Sequence, residues 1–271
     1  LVIDDPVPTE VIVAGMGLDV SVGGRDTDLM AGIVVNGENV VVDVGTLRCR
    51  VGVTVVDSRN VLVRIKDLSA LFGLLVRDST SVRVSIGAAH DWMPLDGEDQ
   101  YPHVAYFQRS HGCSFSMREA SMDGDGASEY GTALKAVLCQ GLQVSGRKWR
   151  WPFGSHEFAG CENVTVVGGA YDGRDSSASW RGSHSSWLVR NWDVPGQPVV
   201  PSRHVRFRRC AWLAGDGTIG CAVMHSDQGP GLGVSEETTP SFYGCSIEIG
   251  TRPINSYDPV LPGLRVTERV A

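Results

Sequence analysis

Apolar and polar residues alternate along residues 32–86 in a phrase that is written three times. The copies read GIVVNGENVVVDV from Gly32, VTVVDSRNVLVRI from Val53 and LLVRDSTSVRVSI from Leu74. Asn39, Asn60 and Ser81 fall at equivalent points, 21 residues apart. Each copy is a β-rich run, a polar turn and a second β-rich run. A fixed period built of strands and turns predicts a stacked repeat. Because strand side chains alternate between faces, each position can be assigned a side. In the second run, Val40, Val42 and Val44 align with Val61, Val63 and Ile65, then with Val82, Val84 and Ile86; these are predicted to be interior. Val41, Asp43, Leu62, Arg64, Arg83 and Ser85 then face outward. In the first run, Val34, Val55 and Val76 are predicted inward. Ile33, Thr54 and Leu75, with Val35, Val56 and Arg77, are predicted outward. On this reading Ile33, Val35, Val41, Val56, Leu62 and Leu75 form an apolar exterior, and a contiguous patch of that kind normally contacts something. A homotrimer or larger assembly is the expectation it raises.

Outside these copies the pattern continues with interruptions. Residues 1–31 read as a Pro-punctuated cap or first coil, with a first clean strand at 18–22. Residues 32–88 are the regular coils, 89–250 are decorated coils, and 251–271 are a C-terminal cap or tail, all within one domain. Four insertions stand out, HDWMPLDGEDQYPH, REASMDGDGASEYGTA, RDSSASWRGSHSSW and WLVRNWDVPGQPVVPS, with a basic and aromatic loop, RKWRWPFGSHEF, between the second and third. No window of about eleven residues carries a helical stripe, so the fold class is all-β.

Composition agrees. Glycine is abundant at 33 residues and the aromatic share is 7%, which favours short strands and tight turns. The net charge of −7 argues against a general nucleic-acid binder, which carries a basic excess. No run approaches the roughly 18 apolar residues of a bilayer span, so no membrane insertion is expected. The start at Leu1 rather than Met is expected of a processed chain or an excised domain. Seven cysteines leave at least one thiol unpaired, and none has zinc spacing. Cys113, Cys161 and Cys245 share one setting (HGCSF, AGCENV, YGCSI) and are predicted to be small buried residues stacked on one another in successive coils. Disulfides are the alternative in an oxidising compartment.

GIVVNGENVVV, HEFAGCENVTVVGGAYDG and SFYGCSIEIG resemble coils of right-handed parallel β-helix proteins of the pectin-lyase-like superfamily. The resemblance covers about Gly32 to Gly250. It implies a right-handed single-stranded parallel β-helix, or solenoid, with loop insertions. It also implies a polysaccharide-active enzyme (a glycoside hydrolase or a polysaccharide lyase) or a phage tailspike, and hence an extracellular or virion-associated protein. The polygalacturonase pattern of NTD, DD and GHG is absent, as are pectate-lyase motifs of the WiDH and RxPxxR types. Fold analogy alone does not supply an activity.

The decorated coils hold the candidate chemistry. Asp123 and Asp125, with Glu129, lie in MDGDGASEY. Glycosidases use one protonated and one ionised carboxyl about 5–9.5 Å apart, and the same oxygens could hold calcium, the one cofactor considered. The plain alternative is a solvated acidic turn. Asp216, His225 and Asp227 form a second group, in which His225 and Asp227 sit two apart at the end of a strand-like run and would share a face. A His beside a carboxylate serves as an acid/base or ligand pair, or as a hydrogen-bonded surface turn. For hydrolysis, two of Asp123, Asp125, Asp216 and Asp227 would act as acid and base, with His225 or Arg190 positioning the substrate. Trp149, Trp151, Trp180 and Trp187, with Arg181 and Arg190, suit sugar stacking and bidentate capture of acidic groups. Otherwise these tryptophans fill space under long loops. The two functions that emerge are a glycan-binding, glycan-degrading β-helix and a non-catalytic structural or adhesive one.

Overall fold

The computed structural model describes residues 2–5, 10–13, 18–20, 31–91, 103–121, 132–150, 156–172, 184–213, 220–226, 241–249 and 264–268. Among these there are strands and turns and no helix. The chain winds into a parallel β-solenoid in which every strand pairs with its counterpart one coil away. Each coil contributes to three ladders. The first stacks Val2–Asp5, Ala31–Gly37, residues 51–56, residues 72–77, His103–Gln108, Thr132–Val137, His156–Ala159, His184–Arg190 and Gly220–Ser226. The second stacks Glu10–Val13, residues 41–44, 62–65, 83–86, 114–117 and 143–146, then Thr165–Val167, Arg206–Arg208 and Ser241–Tyr243. The third runs from Leu18–Val20 through residues 46–49, 67–70, 88–91, 119–121 and 148–150 to Ala170–Asp172, Ala211–Leu213, Cys245–Ile249 and Leu264–Glu268. The second and third ladders join round a bend, so strands alternate between two parallel sheets, one of them bent. The N-terminal strands are thus a coil in register with the next. RKWR, expected in a loop, supplies the strand Gln143–Arg150.

The expected interior valines of the second run are all buried. The first run needs a correction. Ile33 and Val35 are in the core and Val34 is half-buried. Ile33 pairs with Val53 and Val35 with Val55, whereas Glu38 pairs with Arg59. The second copy therefore carries one more residue at the corner, Asp57, in a left-handed conformation (φ 48°). A one-residue slip moves every side chain to the opposite face. The apolar exterior becomes half-buried residues on two ladders, Val41 beside Leu62 on the second and Val34, Val56 and Leu75 on the first.

The corner from first to second ladder is built from polar contacts. Asn39, Asn60, Ser81 and Asn163 all hold φ between 54° and 58°. Asn tolerates this region because its short amide bonds locally, and the Asn60 amide donates to Asn39 Oδ1 at 2.6 Å. Just before this column stand Ser58, Ser79, Ser110, Cys139, Cys161 and Ser202, all buried. Ser58, Ser79 and Ser110 accept backbone N–H groups from Gly37, Ser58 and Ser79 respectively. Each also donates to the carbonyl two residues back, at 2.7–2.9 Å. The ladder satisfies backbone groups that would otherwise be orphaned inside the turn.

The core changes character along the solenoid. Val, Ile and Leu fill the regular coils, while Phe107, Phe115, Trp149, Phe158, Tyr171, Trp187 and Phe207 fill the later ones. In the third ladder Leu47, Leu68, Ala89 and Ala120 lead to Trp149 and Tyr171. The two small alanines precede the indole, which donates to Met117 O at 2.8 Å.

Candidate functional site

The topology brings the insertions together. Residues 92–102, 122–131, 151–155, 173–183 and 214–219 each connect the third ladder of one coil to the first ladder of the next. They leave from residues in register: His90 pairs with Ser121, Ser121 with Arg150, Arg150 with Asp172, and Asp172 with Leu213. At the parallel-strand spacing of about 4.8 Å, the five anchor points span roughly 20 Å along one edge. A rigid ladder that fixes the roots of several loops is a common way to build a site. At the root of the row, His90 Nδ1 lies 2.9 Å from Ser121 Oγ, with His90 exposed.

Asp123, Asp125, Trp151, Trp180, Arg181 and Asp216 all belong to these insertions. They lie outside the described residues, as does Asp227, which follows Gly220–Ser226 in the chain. The backbone of His225 pairs with Val189, a member of the buried column Val76, Phe107, Ala136, Phe158 and Val189. Among the described residues no group of three His, Cys, Asp or Glu side chains is placed to hold a metal ion.

Trp149 and Trp187 are corrections to the expected sugar-contact set. Both are core residues, 1% and 0% exposed. The Trp187 ring stacks on Phe158 at 5.0 Å, and Trp149 meets Tyr171 edge-on at 5.3 Å. Their rings have no face left for a sugar. Enclosed with them is His156, 4.8 Å from Trp187, with Nδ1 unpartnered. Burial drives its pKa down to about 3, so the ring is neutral.

Arg190, the other expected contact, is engaged in an ion pair. Its Nε donates to Glu157 Oε1 at 2.6 Å, and Lys135 Nζ lies 3.3 Å from Glu157 Oε2. Glu157 is outward in register but buried. The triad ties three successive coils, and Lys135 also sits 5.9 Å over the Tyr106 ring. Burial, then the Glu157 charge, raises the Tyr106 pKa.

The sequence reading overlooked a basic stripe. Arg203, His204, Arg208 and Arg209 are exposed and Arg206 is half-buried. Arg206 and Arg208 flank the buried Phe207, so they share the outward face of the second ladder. The Arg208 guanidinium lies 5.6 Å over the ring of Tyr243, which is 53% exposed. The run RHVRFRR was its signal, once alternation is applied to it. The strand at its centre is Arg206–Arg208, with left-handed corners at His204 and Arg209, on a chain whose net charge is −7.

The expected common stack of Cys113, Cys161 and Cys245 is also corrected. All three are buried, but they occupy different columns. Cys113 stands between Val82 and Leu142, Cys161 beside Cys139, and Cys245 beside Cys210.

No protein-family model matches this chain, and no curated protein or solved structure is significantly similar to it. The chain is a parallel β-solenoid by its own register.

Proposed function

We propose that this chain binds a polysaccharide along the loop-bearing edge and cleaves it there. One observation carries the reading: the insertions that hold Asp123, Asp125, Trp151, Trp180, Arg181 and Asp216 are rooted in consecutive coils along one line. Repeat scaffolds use a row of this kind to hold an extended ligand. The resemblance of its coils to the pectin-lyase-like superfamily supports the same reading by analogy. Arg181, in the same insertions, favours an anionic glycan, since a guanidinium group captures carboxylate or sulfate through paired hydrogen bonds. If the bond is hydrolysed, two of the loop carboxylates act as general acid and base. If it is eliminated, a base removes a proton and a cation stabilises the enolate.

The test is a panel of acidic and neutral glycans, scored for new reducing ends and for the ultraviolet absorbance of an unsaturated product. Product from an acidic glycan, abolished in Asp123→Asn/Asp125→Asn/Asp216→Asn with the strand signal in circular dichroism unchanged, is the expected result. Binding and cleavage of none of the panel would sink the proposal and favour the structural reading, a virion tail or adhesive component.

A further inference from the structure

Four of the buried cysteines stand in two vertical pairs. Cys139 and Cys161 occupy the corner slot that holds Ser58, Ser79 and Ser110 in earlier coils and Ser202 in the next. The slot is made for a hydrogen-bonding group: the Cys161 thiol points at Ala136 O and Ala159 O, 3.4 and 3.6 Å away. Ser202 makes the same two kinds of contact, to Phe158 O and Arg190 O. A hydroxyl makes these bonds better than a thiol, so hydrogen bonding does not account for the two cysteines. The second pair lies at the corner between the second and third ladders. There Cys210 and Cys245 each follow a left-handed residue, Arg209 and Gly244.

The backbone stacks the members of each pair in adjacent coils. Glu162 N donates to Cys139 O at 2.9 Å, and Ser246 N donates to Cys210 O at 3.0 Å. Adjacent parallel strands lie about 4.8 Å apart, inside the roughly 4.4–6.8 Å range of Cα separations that a disulfide spans. In each pair the two thiols are near enough to shift each other's proton affinity. Cys245 Sγ leans back to Phe207 O in the preceding coil at 3.4 Å, toward Cys210. Cys113, flanked in its column by Val82 and Leu142, has no such neighbour.

We propose that Cys139–Cys161 and Cys210–Cys245 are sites of disulfide formation, each bridge stapling one coil to the next. The oxidant is a small-molecule disulfide such as oxidised glutathione. The thiolate of one cysteine attacks a glutathione sulfur, breaks the S–S bond and releases one glutathione thiolate. The second cysteine gives up its proton and attacks the mixed disulfide, releasing the other. Two electrons pass to the glutathione and the two protons end on its thiolates. Within the second pair Cys245 is the first nucleophile, because the neighbouring Cys210 thiol lowers its pKa, and a lowered pKa raises the fraction of attacking thiolate.

The experiment uses the whole chain, refolded in oxidised or in reduced glutathione, so that the oxidant meets the thiols before the coils bury them. Free thiols are alkylated under denaturing, non-reducing conditions, and the digest is read by mass spectrometry. The expected result is two linked peptide pairs, Cys139 with Cys161 and Cys210 with Cys245, Cys113 alkylated, and a higher unfolding midpoint for the oxidised sample. Cys161→Ser and Cys245→Ser keep the slots filled and each should remove one link only. Full alkylation of all four cysteines after oxidation overturns the proposal. So do links drawn to Cys49, Cys113 or Cys221 in place of these pairs, and a link in one pair alone overturns it for the other.

Discussion

Ser79→Ala tests the polar corner that lets the coils stack. The Ser79 hydroxyl accepts the backbone N–H of Ser58 at 3.0 Å and donates to Arg77 O at 2.7 Å. Its removal does not strand the carbonyl, because Arg77 O also accepts from Asp57 N at 3.2 Å. The Ser58 N–H is different. Ser58 is 4% exposed, so water does not replace the lost acceptor. An orphaned buried donor costs about 1–3 kcal/mol, and the methyl of alanine recovers almost none of it. Ser79→Cys should lose less, since Cys139 and Cys161 occupy the same slot naturally. The measurement is equilibrium urea unfolding, followed by the fluorescence of the buried Trp149 and Trp187 and by circular dichroism. The reasoning is refuted if Ser79→Ala lies within about 0.5 kcal/mol of the parent, the range of ordinary surface changes. It is also refuted if Ser79→Cys is the more damaging of the two.

Other perturbations follow from the same contacts. His156 has a pKa of about 3 in the fold against 6.5 unfolded, so between these values the unfolded chain binds a proton that the fold does not. That contribution is complete above pH 6.5 and is lost as the pH falls toward 3, at about 1.4 kcal/mol per pH unit. His156→Phe should lose that slope, so the difference between the parent and variant stability–pH curves should carry it, and parallel curves would contradict it. Glu157→Ala leaves Lys135 and Arg190 without their shared anion; with all three side chains partly exposed (10–25%), a loss of about 1–3 kcal/mol is expected, read by thermal unfolding. Any side chain at Gly52 would run into the Gly73 carbonyl oxygen of the next coil, so Gly52→Ala should destabilise by about 1–3 kcal/mol in the same assay. Ser81→Asn keeps a left-handed residue (φ 57°) and extends the Asn39–Asn60 amide ladder, for a gain of about 0.5 kcal/mol, visible as a small rise in midpoint.

The repeat was legible because its physics is local. Val40, Val42 and Val44 alternate with polar neighbours and recur at a fixed spacing, which is enough to specify strand, face and stacking. Asn39, Asn60 and Asn163 stand at left-handed corners for a reason equally local, since that backbone region selects few residue types. The first run was misread at Ile33 and Val35 because face depends on register. Register there turns on a single extra residue, Asp57, that no neighbouring pattern marks. Trp149 and Trp187 were misplaced on composition: interleaved Arg and Trp look like a surface, but strand alternation sends the indoles inward and the cations outward. The stripe from Arg203 to Arg209 is open to the same rule, because the buried Val205 and Phe207 alternate with Arg206 and Arg208.

By itself, then, the sequence determined the all-β class, the stacked coil and its interior columns. These follow from side-chain period and turn chemistry within one coil. Only the tertiary structure decided which residues from different coils become neighbours. It stacked Cys139 on Cys161 and Cys210 on Cys245, separated these pairs from Cys113, closed Glu157 between Lys135 and Arg190, and rooted five insertions along one edge. Each of those contacts joins residues more than twenty positions apart in the chain. Their placement depends on the exact length of every corner and insertion between them, a sum that local pattern does not carry.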